Sequence, residues 1–546
     1  MLGTTGLLVG AAPKRLRAEC PPSSPSASLR AAANDNRAPA GKMRAGVLSV
    51  RLVARAATWF PDGPVGCGLA VHAFAEDGKP PQIPGPIIRV RAGAEVSVTI
   101  RNDLDKALWI RGLQDHNRGS VDSTELAPRA EHEFRFRATA PGAWYYWAGD
   151  VNARAPISNQ DGQLVGALVV DPAAPQETIG DRIFVMTRWT PNGELGTGTF
   201  QLNAINGLSW PQTERVSYTV GDSIRWAVIN GTDELHMMHL HGFYFRVESR
   251  GDAAHDSVLA LEQKHLRVTA ATRRGEWMSF SWSPDRPGNW LFHCHLVAHM
   301  SADQRLDRMP GTPASGQQPM HGAHTNHADD AMAGLIIGIN IRPRGSVTQT
   351  ATGVAGRRSM QLFADTKPNV FGDRPGFGFV LQSDAHAPAP DSIRIPGSPL
   401  ILTQNEPVQI TVHNRLSTPF GVHWHGIEIE SYFDGVVGWS GSGRRIAPPI
   451  APGDSFVARL TPPRAGSFIY HVHSEEGNEL ASGLYGPLIV LPPGQRFDPT
   501  TDLIFVIATA GPGPDGPPFV NGTAAPDTIS LRTGTTYRLR LIDIAS

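Results

Sequence analysis

A long internal repeat constrains the fold of this 546-residue chain more than any other feature. The segment IPGPIIRVRAGAEVSVTIRNDLDKALWIRG, from Ile83, closely matches IPGSPLILTQNEPVQITVHNRLSTPFGVHWHG, from Ile395. Gly85 and Gly397 occupy the same place in the two copies and are 312 residues apart. Sequence that recurs at a fixed offset indicates repeated structural units, so the chain must fold as a series of related domains.

A second match follows the first at nearly the same offset. It joins FVMTRWTPNGELGTGTFQLNAINGLSWPQ, from Phe184, to FVIATAGPGPDGPPFVNGTAAPD, from Phe505. The chain therefore contains four units in the order A, B, A′ and B′, with B′ expected to be truncated at Ser546. The expected boundaries are 1–45 for a leader or disordered segment, 46–173 for A, 174–345 for B, 346–495 for A′ and 496–546 for the start of B′.

The units have the pattern of β-structure. After each NG of the second match comes a strand, a glycine turn and another strand, as in VSYTVGDSIRWAVIN and ISLRTGTTYRLRLID. The 57 glycines and 46 prolines favour turn-rich β domains over helical bundles. We therefore predict an all-β fold of tandem Greek-key β-sandwich domains.

Four short clusters contain ten of the twenty histidines, and each includes a His-x-His step. They are HMMHLH from His236, HCHLVAH from His293, HWH from His423 and HVH from His471. In an extended strand, the side chains at i and i+2 point to the same face, roughly 6.5–7 Å apart. A single His-x-His step is more often a coincidence than a ligand pair, but four copies indicate metal binding. Imidazoles with one thiolate are the ligands of a blue copper centre, and all-imidazole sites suit copper or zinc.

These clusters resemble the motifs of the multicopper oxidases, the laccases and their relatives. HMMHLHG and FHCHLVAH resemble the C-terminal-type pair, and HWHG and YHVHSE resemble the N-terminal-type pair. The N-terminal-type pair normally comes first in this family, whereas here it comes second. The resemblance implies cupredoxin-like domains that bind type 1, type 2 and paired type 3 copper, four ions per complete site. The inverted order resembles two-domain laccase repeats fused head to tail, which implies a trinuclear site within one chain, between 174–345 and 346–495.

The resemblance also implies which residue binds which copper. The type 1 ligands would be His236, Cys294 and His299, and the type 2 ligands would be His239 and His423. The paired type 3 ligands would be His241, His293, His295, His425, His471 and His473. Strand alternation directs the Cys294 thiolate away from His293 and His295, so the two kinds of site would lie on opposite sides of one strand.

The axial type 1 ligand has three candidates. We favour Met332, because it stands just before the expected last strand of B. Gln304 has the spacing usual in the family, five residues after His299, and Met309 is a third candidate. Asp434 matches a family carboxylate that helps to deliver protons to oxygen, and its alternative interpretation is a simple turn aspartate. The loop from Met320 to His327 is either a further copper site or a polar insertion.

Unit A has lost the metal motif that A′ keeps. HWHG becomes Trp109-Ile110-Arg111-Gly112, and the two histidines of HVH become Trp147 and Gly149. Neither tryptophan nor arginine ligates copper, so we expect A to be structural. His116 and His132 are out of register with the motif, and we expect both to be surface histidines.

The composition limits the remaining functions. A net charge of −1 gives no argument for nucleic acid, and the chain has no apolar stretch of eighteen residues that would span a membrane. Because the metal motif uses Cys294, one of three cysteines, we expect no disulfide framework, with Cys67 a small buried residue. The basic residues follow the weak apolar patch at Leu7-Leu8-Val9, so it is a poor signal peptide. Only the family resemblance implies an extracytoplasmic location.

The leading hypothesis is a copper oxidoreductase that takes single electrons from a phenol, an aromatic amine or a metal ion and reduces dioxygen to water. A copper-containing nitrite reductase is one alternative, although it lacks paired type 3 copper. A copper-binding resistance protein without significant turnover is another, and an inactive gene fragment is a third.

Overall fold

The computed structural model describes residues 29–64, 66–149, 162–174, 181–191, 200–309, 327–345, 356–473, 478–509, 511 and 516–544. These residues form seven β-sheets connected by loops and short helical turns, which confirms the predicted all-β class. Cys20 and the stretch from Met320 to Asn326 lie outside the described residues.

The first two sheets contain strands from residues 32–171 and enclose one core, in which Trp144 and Tyr146 are fully buried. Sheet 1 consists of β1 (Ala32–Ala33), β2 (Lys42–Arg44), β3 (Val47–Trp59), β4 (Leu69–Glu76), β5 (Pro81–Ile83), β7 (Glu95–Asn102), β10 (Glu131–Arg137) and β12 (Gly162–Gln163). Sheet 2 runs in the order β6 (Gly85–Arg91), β13 (Val165–Asp171), β11 (Gly142–Gly149), β8 (Leu108–Arg111) and β9 (Ser123–Leu126).

Residues 29–45 belong to this first sandwich, so the expectation of a leader or disordered segment is wrong for them. β1 pairs in parallel with β5, and β2 pairs with β3. Asn34 is buried and donates from Nδ2 to the Gly85 carbonyl oxygen at 3.0 Å, and the buried Asn36 donates to Asn206 Oδ1 at 3.0 Å. These polar side chains look solvent-exposed in the sequence, but they satisfy polar groups inside the fold. Residues 1–28 lie outside the described residues.

The next two sheets contain the first two histidine clusters. Sheet 3 consists of β14 (Arg182–Trp189), β15 (Leu202–Ile205), β17 (Ile224–Asn230), β19 (Phe245–Gly251), β20 (Asp256–Val258), β21 (Leu266–Arg267) and β23 (Trp277–Trp282). Sheet 4 consists of β16 (Arg215–Thr219), β18 (His236–Leu240), β22 (Thr269–Thr272), β24 (Gly288–Cys294), β25 (Ile336–Arg342), β31 (Gly441–Ser442) and β32 (Arg445–Ile446). Because β31 pairs with β24, sheet 4 joins residues of the expected units B and A′.

The remaining three sheets come from residues 358–543. Sheet 5 consists of β26 (Arg358–Phe371), β27 (Arg374–Gln382), β29 (Val408–Asn414) and β33 (Ser455–Leu460). Sheet 6 runs in the order β28 (Leu400–Thr403), β35 (Tyr485–Leu491), β34 (Gly466–Val472) and β30 (Val422–His425). Sheet 7 consists of β36 (Asp502–Thr509), β37 (Pro518–Val520) and β38 (Arg538–Asp543). The β6-β13-β11-β8 order of sheet 2 recurs as β28-β35-β34-β30 in sheet 6, as the sequence repeat predicts.

The helical segments are short. The α-helices are α1 (His327–Asp330) and α2 (Asn478–Ala481), and the 3-10 turns are His116–Arg118, Leu261–Gln263, Val297–His299, Ala302–Gln304, Leu306–Arg308, Pro390–Ser392 and Ser431–Phe433. Within the described ranges, no helix has the length and apolar character that a membrane span requires.

Sheet 7 exposes an apolar face. The repeat aligns β38 with β17, so Leu539 and Leu541 correspond to Trp226 and Val228. Trp226 and Val228 are fully buried, whereas Leu539 and Leu541 are 57% and 70% exposed. β38 also pairs with β36 alone among the strands that the structure describes, which leaves its other edge unpaired. An exposed apolar face beside an unpaired strand edge promotes aggregation.

The cysteines differ from the sequence expectation. Cys67 is disulfide-bonded, and Cys294 is the free cysteine of the described residues. The expectation of no disulfide framework therefore missed this bond. Its burial, at 7% exposure, was predicted correctly. The spacing of three cysteines gives no signal for one bridge, because pairing depends on contacts that are remote in sequence.

Candidate metal centres

Cys294, His236 and His299 form one buried group, which we call the Cys294 group. The antiparallel pairing of β18 and β24 brings His236 and Cys294 into neighbouring strands, and the 3-10 turn after β24 returns His299 to the same place. Cys294 Sγ lies 3.7 Å from His236 Nδ1 and 3.5 Å from His299 Nδ1, and the two Nδ1 atoms are 3.0 Å apart. The structure thus brings together the three residues that the family resemblance implies for type 1 copper.

A polar partner lies at the far side of each of the two imidazoles. His236 Nε2 lies 2.7 Å from Thr232 Oγ1, and His299 Nε2 lies 2.8 Å from Glu234 Oε2. Burial lowers the pKa of His299, but Cys294 and Glu234 outweigh burial and raise this pKa to about 9. Burial, with the charges of His299 and Arg188, holds the pKa of His236 well below its usual value.

The axial candidates lie in different surroundings. Met332 is buried and packs in a cluster with Leu291 and Ile336. Because side chains alternate along β24, Leu291 lies on the face that carries His293, opposite the face that carries Cys294. The packing of Met332 therefore gives no support to the axial role that its position in the sequence suggested.

The surroundings of Gln304 and Met309 support an axial role no better than those of Met332 do. Gln304 is buried, but its Oε1 accepts hydrogen bonds from the backbone and side chain of Asn203, each at 3.0 Å. Its Nε2 donates to the Ala298 carbonyl oxygen. Met309 packs against a separate apolar cluster that includes Trp59 and Leu306. Any assignment of an axial ligand stays a proposal.

A second group contains eight histidines, which lie in four strands or directly after them, and we call it the eight-histidine group. β18 and β24 of sheet 4 face β30 and β34 of sheet 6, so histidines that are far apart in sequence meet between the two sheets. His239 Nε2 lies 3.3 Å from His423 Nε2, and His241 Nε2 lies 2.9 Å from His293 Nε2. The group consists of His239, His241, His293, His295, His423, His425, His471 and His473.

The eight rings form overlapping sets of near neighbours. Ligand atoms of His295, His425 and His471 lie within 4.8 Å of one another, and so do those of His239, His423 and His425. The rings of His241, His293 and His473 have centroids 5.0, 5.4 and 5.7 Å apart. The histidines are thus close enough to share metal ions, and their division into type 2 and paired type 3 ligand sets stays a proposal.

Backbone carbonyl groups set which ring nitrogen is free to bind a metal. The Nδ1 atoms of His239, His423 and His471 lie 2.8–2.9 Å from carbonyl oxygens of Val268, Asp434 and Val472, respectively. A ring nitrogen beside a carbonyl oxygen must carry the proton, because the oxygen can only accept. The Nε2 atom of each ring then keeps its lone pair, as a metal ligand requires.

The ring atoms that face the centre fit a metal. Buried nitrogens without a hydrogen-bond partner are His295 Nε2, His425 Nδ1, His471 Nε2 and His473 Nε2. Burial, reinforced by neighbouring imidazoles, lowers the pKa of His471 to about 3 and holds that of His473 well below its usual value. These ring nitrogens are acceptors that converge with no donor between them, so their lone pairs are unsatisfied. A bound copper ion would satisfy them, because neutral imidazole is a good copper ligand.

Asp434 lies at the edge of this group and is buried, at 1% exposure. Its Oδ2 atom accepts from His241 Nδ1 at 2.8 Å and from the Ser440 hydroxyl at 3.2 Å. Its backbone carbonyl oxygen accepts from His423, as described above. Asp434 thus contacts His241 through its side chain and His423 through its backbone, and its role in proton delivery stays a proposal.

Sequence reasoning missed the residues that orient the rings. Thr232 and Glu234 lie four and two residues before His236. Polar residues so close to a candidate ligand could have been predicted to contact its ring or a neighbouring one. Thr269 gave no such signal, although its Oγ1 lies 3.1 Å from both His239 Nδ1 and His425 Nε2. Ser440 is equally remote from the clusters in sequence.

Unit A contributes no residue to these groups. Among the residues that the structure describes, no group of three or more metal-ligating side chains includes a residue before His236. His132 is exposed as expected, but His116 is buried, so that prediction is wrong. The His116 ring stacks on Trp144 with centroids 4.2 Å apart, and its Nδ1 lies 3.0 Å from the Ala253 carbonyl oxygen.

We predict that Trp109→Phe and Trp147→Phe leave the copper content of the purified protein unchanged, because neither side chain lies in a metal-ligating group. Copper per chain, measured by atomic emission, checks the prediction. His423→Phe is the matched control, since His423 occupies the place of Trp109 in the other copy, and it should lose copper. Loss of copper in either tryptophan variant would reveal a site in A.

Comparisons with known proteins agree with this geometry. One multicopper oxidase family model matches residues 180–306, and a second matches residues 80–175 and 393–495. The second model thus matches both A and A′, as the repeat requires. Together with the sheets described above, the matches confirm the predicted cupredoxin-like sandwich class.

Individual relatives are similar over parts of their length. A probable nitrite reductase-hydroxylamine oxidoreductase fusion protein of Kuenenia stuttgartiensis is 27% identical over 242 residues, which are 41% of this chain and 27% of the relative. Laccase-17 of Arabidopsis thaliana is 32% identical over 28% of this chain and 30% of its own length. A copper resistance protein A homolog of Pseudomonas syringae pv. tomato is 38% identical over 18% of this chain and 15% of its own length.

Among solved structures, the blue copper oxidase from Nitrosomonas europaea is 21% identical, with 54% of this chain and 85% of that chain covered and a TM-score of 0.41. The chain spans less than a third of the length of each curated relative named above. The two family models, which match different and complementary parts, cover most of the chain from residue 80 to residue 495. The chain belongs to the multicopper oxidase family and, with it, to the copper proteins.

Proposed function

We propose that this protein is a copper-dependent oxidoreductase that oxidises a reducing substrate in one-electron steps and reduces dioxygen to water. The observation that carries the proposal is the position of both metal-ligating groups on one strand. β24 contributes Cys294 to the Cys294 group and His293 to the eight-histidine group. A strand whose neighbouring residues serve two centres connects them through a few covalent bonds.

The residues fit four copper ions. Type 1 copper would be held by His236, Cys294 and His299, and type 2 copper by His239 and His423. The paired type 3 ions would be held by His241, His293 and His473 and by His295, His425 and His471. When bound, copper would supply one-electron redox chemistry at the Cys294 group and dioxygen reduction at the eight-histidine group.

The chain's own groups have distinct tasks in this proposal. His293 Nδ1 lies 2.7 Å from the Cys294 carbonyl oxygen, a contact that orients the imidazole and shortens the route between the two groups. The Asp434 carboxylate holds His241 and accepts from Ser440, so it is placed to pass protons toward the site where dioxygen is reduced. Burial of most of the surrounding rings would keep bulk water away from the reacting site.

The reducing substrate falls into one of three classes: phenols, aromatic amines, or cuprous and ferrous ions. The proposal requires no acid or base for the substrate half of the reaction, since only electrons leave the substrate. The complete trinuclear site would lie within one chain, between residues 174–345 and 346–495. This assembly resembles two-domain laccase repeats joined head to tail.

An extracytoplasmic location accompanies the proposal. Disulfides form and persist mainly in oxidising compartments, and Cys67 is disulfide-bonded. The family resemblance favours the same location. Fractionation of the producing cell, with detection of the protein by antibody, tests it.

Oxygen uptake by the copper-loaded full chain tests the function. With a phenol, an aromatic amine or ferrous ion as substrate, we expect one dioxygen consumed for every four substrate molecules that lose one electron each. Copper binding without oxygen uptake would favour a copper-resistance protein. Reduction of nitrite without oxygen uptake would favour a nitrite reductase, although that reaction leaves the two groups of three histidines unexplained.

A further inference from the structure

The two imidazoles of the Cys294 group are held by chemically different partners. A neutral hydroxyl, Thr232 Oγ1, lies 2.7 Å from His236 Nε2. A carboxylate oxygen, Glu234 Oε2, lies 2.8 Å from His299 Nε2. Both partners come from the same short segment after β17, so one loop sets the orientation of both rings. The asymmetry places a negative charge on the His299 side alone.

Glu234 is itself held firmly. Its Oε1 forms an ion pair with Arg188 Nη1 and lies 3.2 Å from Gln201 Nε2. Its backbone carbonyl oxygen accepts from Asn230 Nδ2 at 2.8 Å, which fixes the loop. The Glu234 side chain is 28% exposed and that of Arg188 only 2%. A carboxylate fixed at one oxygen by a buried guanidinium must present its other oxygen to His299 in a constant direction.

The charges near His299 do not cancel. Arg188 also pairs with Asp233, whose Oδ1 lies 2.6 Å from Arg188 Nη2 and whose side chain is 9% exposed. When His299 is neutral, as a copper ligand would be, two carboxylates share one guanidinium and leave a net negative charge beside the ring. Of the two carboxylates, Glu234 is the one that contacts a metal-ligating ring.

We propose that Glu234 is a positioning residue that orients His299 and lowers the reduction potential of the copper held by the Cys294 group. This inference rests on the function proposed above. A carboxylate that accepts from the far nitrogen of a ligating imidazole makes the near nitrogen a stronger donor. A stronger donor and a nearby negative charge both favour the cupric over the cuprous ion, because the cupric ion has the larger charge. Thr232, which is neutral, has no comparable effect through His236.

Glu234→Gln in the copper-loaded full chain tests the inference, since the amide keeps the shape of the side chain and removes its charge. The midpoint potential is measured by redox titration of the blue absorption. We expect a higher potential, with cupric relative to cuprous binding reduced by about tenfold or more, the size of effect that partners of metal ligands have. Each tenfold change corresponds to about 59 mV for one electron.

Asp233→Asn is the matched control. It removes one of the two carboxylates that pair with Arg188 but leaves the contact between Glu234 and His299 in place, so the potential of this variant should change much less. Glu234→Asp is a second variant, which keeps the charge but withdraws the carboxylate from His299 by one methylene group, and it should also raise the potential.

Three results separate the inference from the function on which it rests. An unchanged potential in both Glu234 variants would overturn the inference. Equal shifts in Glu234→Gln and Asp233→Asn would overturn it too, because the effect would then be general charge and not the bond to His299. If the copper-loaded natural sequence lacked blue absorption, the type 1 assignment itself would fail, and with it the proposed function.

Discussion

Cys294→Ser is expected to remove the blue absorption completely and to reduce substrate oxidation to background. Serine offers a hard, protonated oxygen in place of a soft thiolate, so the intense colour of a copper-thiolate bond disappears. The same change removes the connection between the substrate side and the eight-histidine group. The absorption spectrum and oxygen uptake of the copper-loaded variant check both expectations.

Met238→Leu is the control for Cys294→Ser. Met238 lies directly opposite Cys294 in the pairing of β18 with β24 and is fully buried. A swap of similar volume there usually costs less than about 1.5 kcal/mol, so the variant should fold and stay blue. Blue colour that survived Cys294→Ser would show that another residue supplies the type 1 thiolate role, and the assignment would be wrong.

Asp434→Asn is expected to slow dioxygen reduction by about 10²- to 10⁴-fold while the protein stays blue, since positioned proton-transfer groups contribute effects of that size. The amide cannot hold a proton in transit, and it binds His241 Nδ1 more weakly than the carboxylate does. Reduction of the Cys294 group does not involve Asp434. The variant should therefore bleach normally with substrate and regain its colour slowly in oxygen.

Stopped-flow recording of the returning blue absorption measures this difference. Asp303→Asn is a suitable control, because the Asp303 side chain is 84% exposed and its loss should leave reoxidation unchanged. Reoxidation of Asp434→Asn at the rate of the natural sequence would restrict Asp434 to a structural role.

The sequence was sufficient for features that depend on local periodicity. Alternation along an extended strand placed Cys294 on one side of β24 and His293 on the other, and the pairing in sheet 4 agrees. The repeat predicted the shared strand order of sheets 2 and 6, because the same turns and apolar positions recur in both copies. The family resemblance then supplied the candidate ligands, which the structure brings together in two buried groups.

Features that depend on remote contacts could not be predicted in this way. Asn34 and Asn36 resemble ordinary loop residues until the carbonyl groups they satisfy are known. Met332 precedes β25 by four residues, in a loop where strand alternation no longer determines which way a side chain points. Glu234 was within reach of local reasoning, but its role depends on Arg188, which is on a different strand.

Anomalous diffraction at the copper absorption edge, on crystals of the copper-loaded protein, tests the central claim most directly. We expect four peaks per chain. One should lie within the Cys294 group, and three should lie among the eight histidines, with His239 and His241 sharing coppers with His423 and His425 of the same chain. Copper bound by those two pairs at separate places, or completed by histidines of another chain, would contradict the account that one polypeptide builds the whole dioxygen-reducing centre.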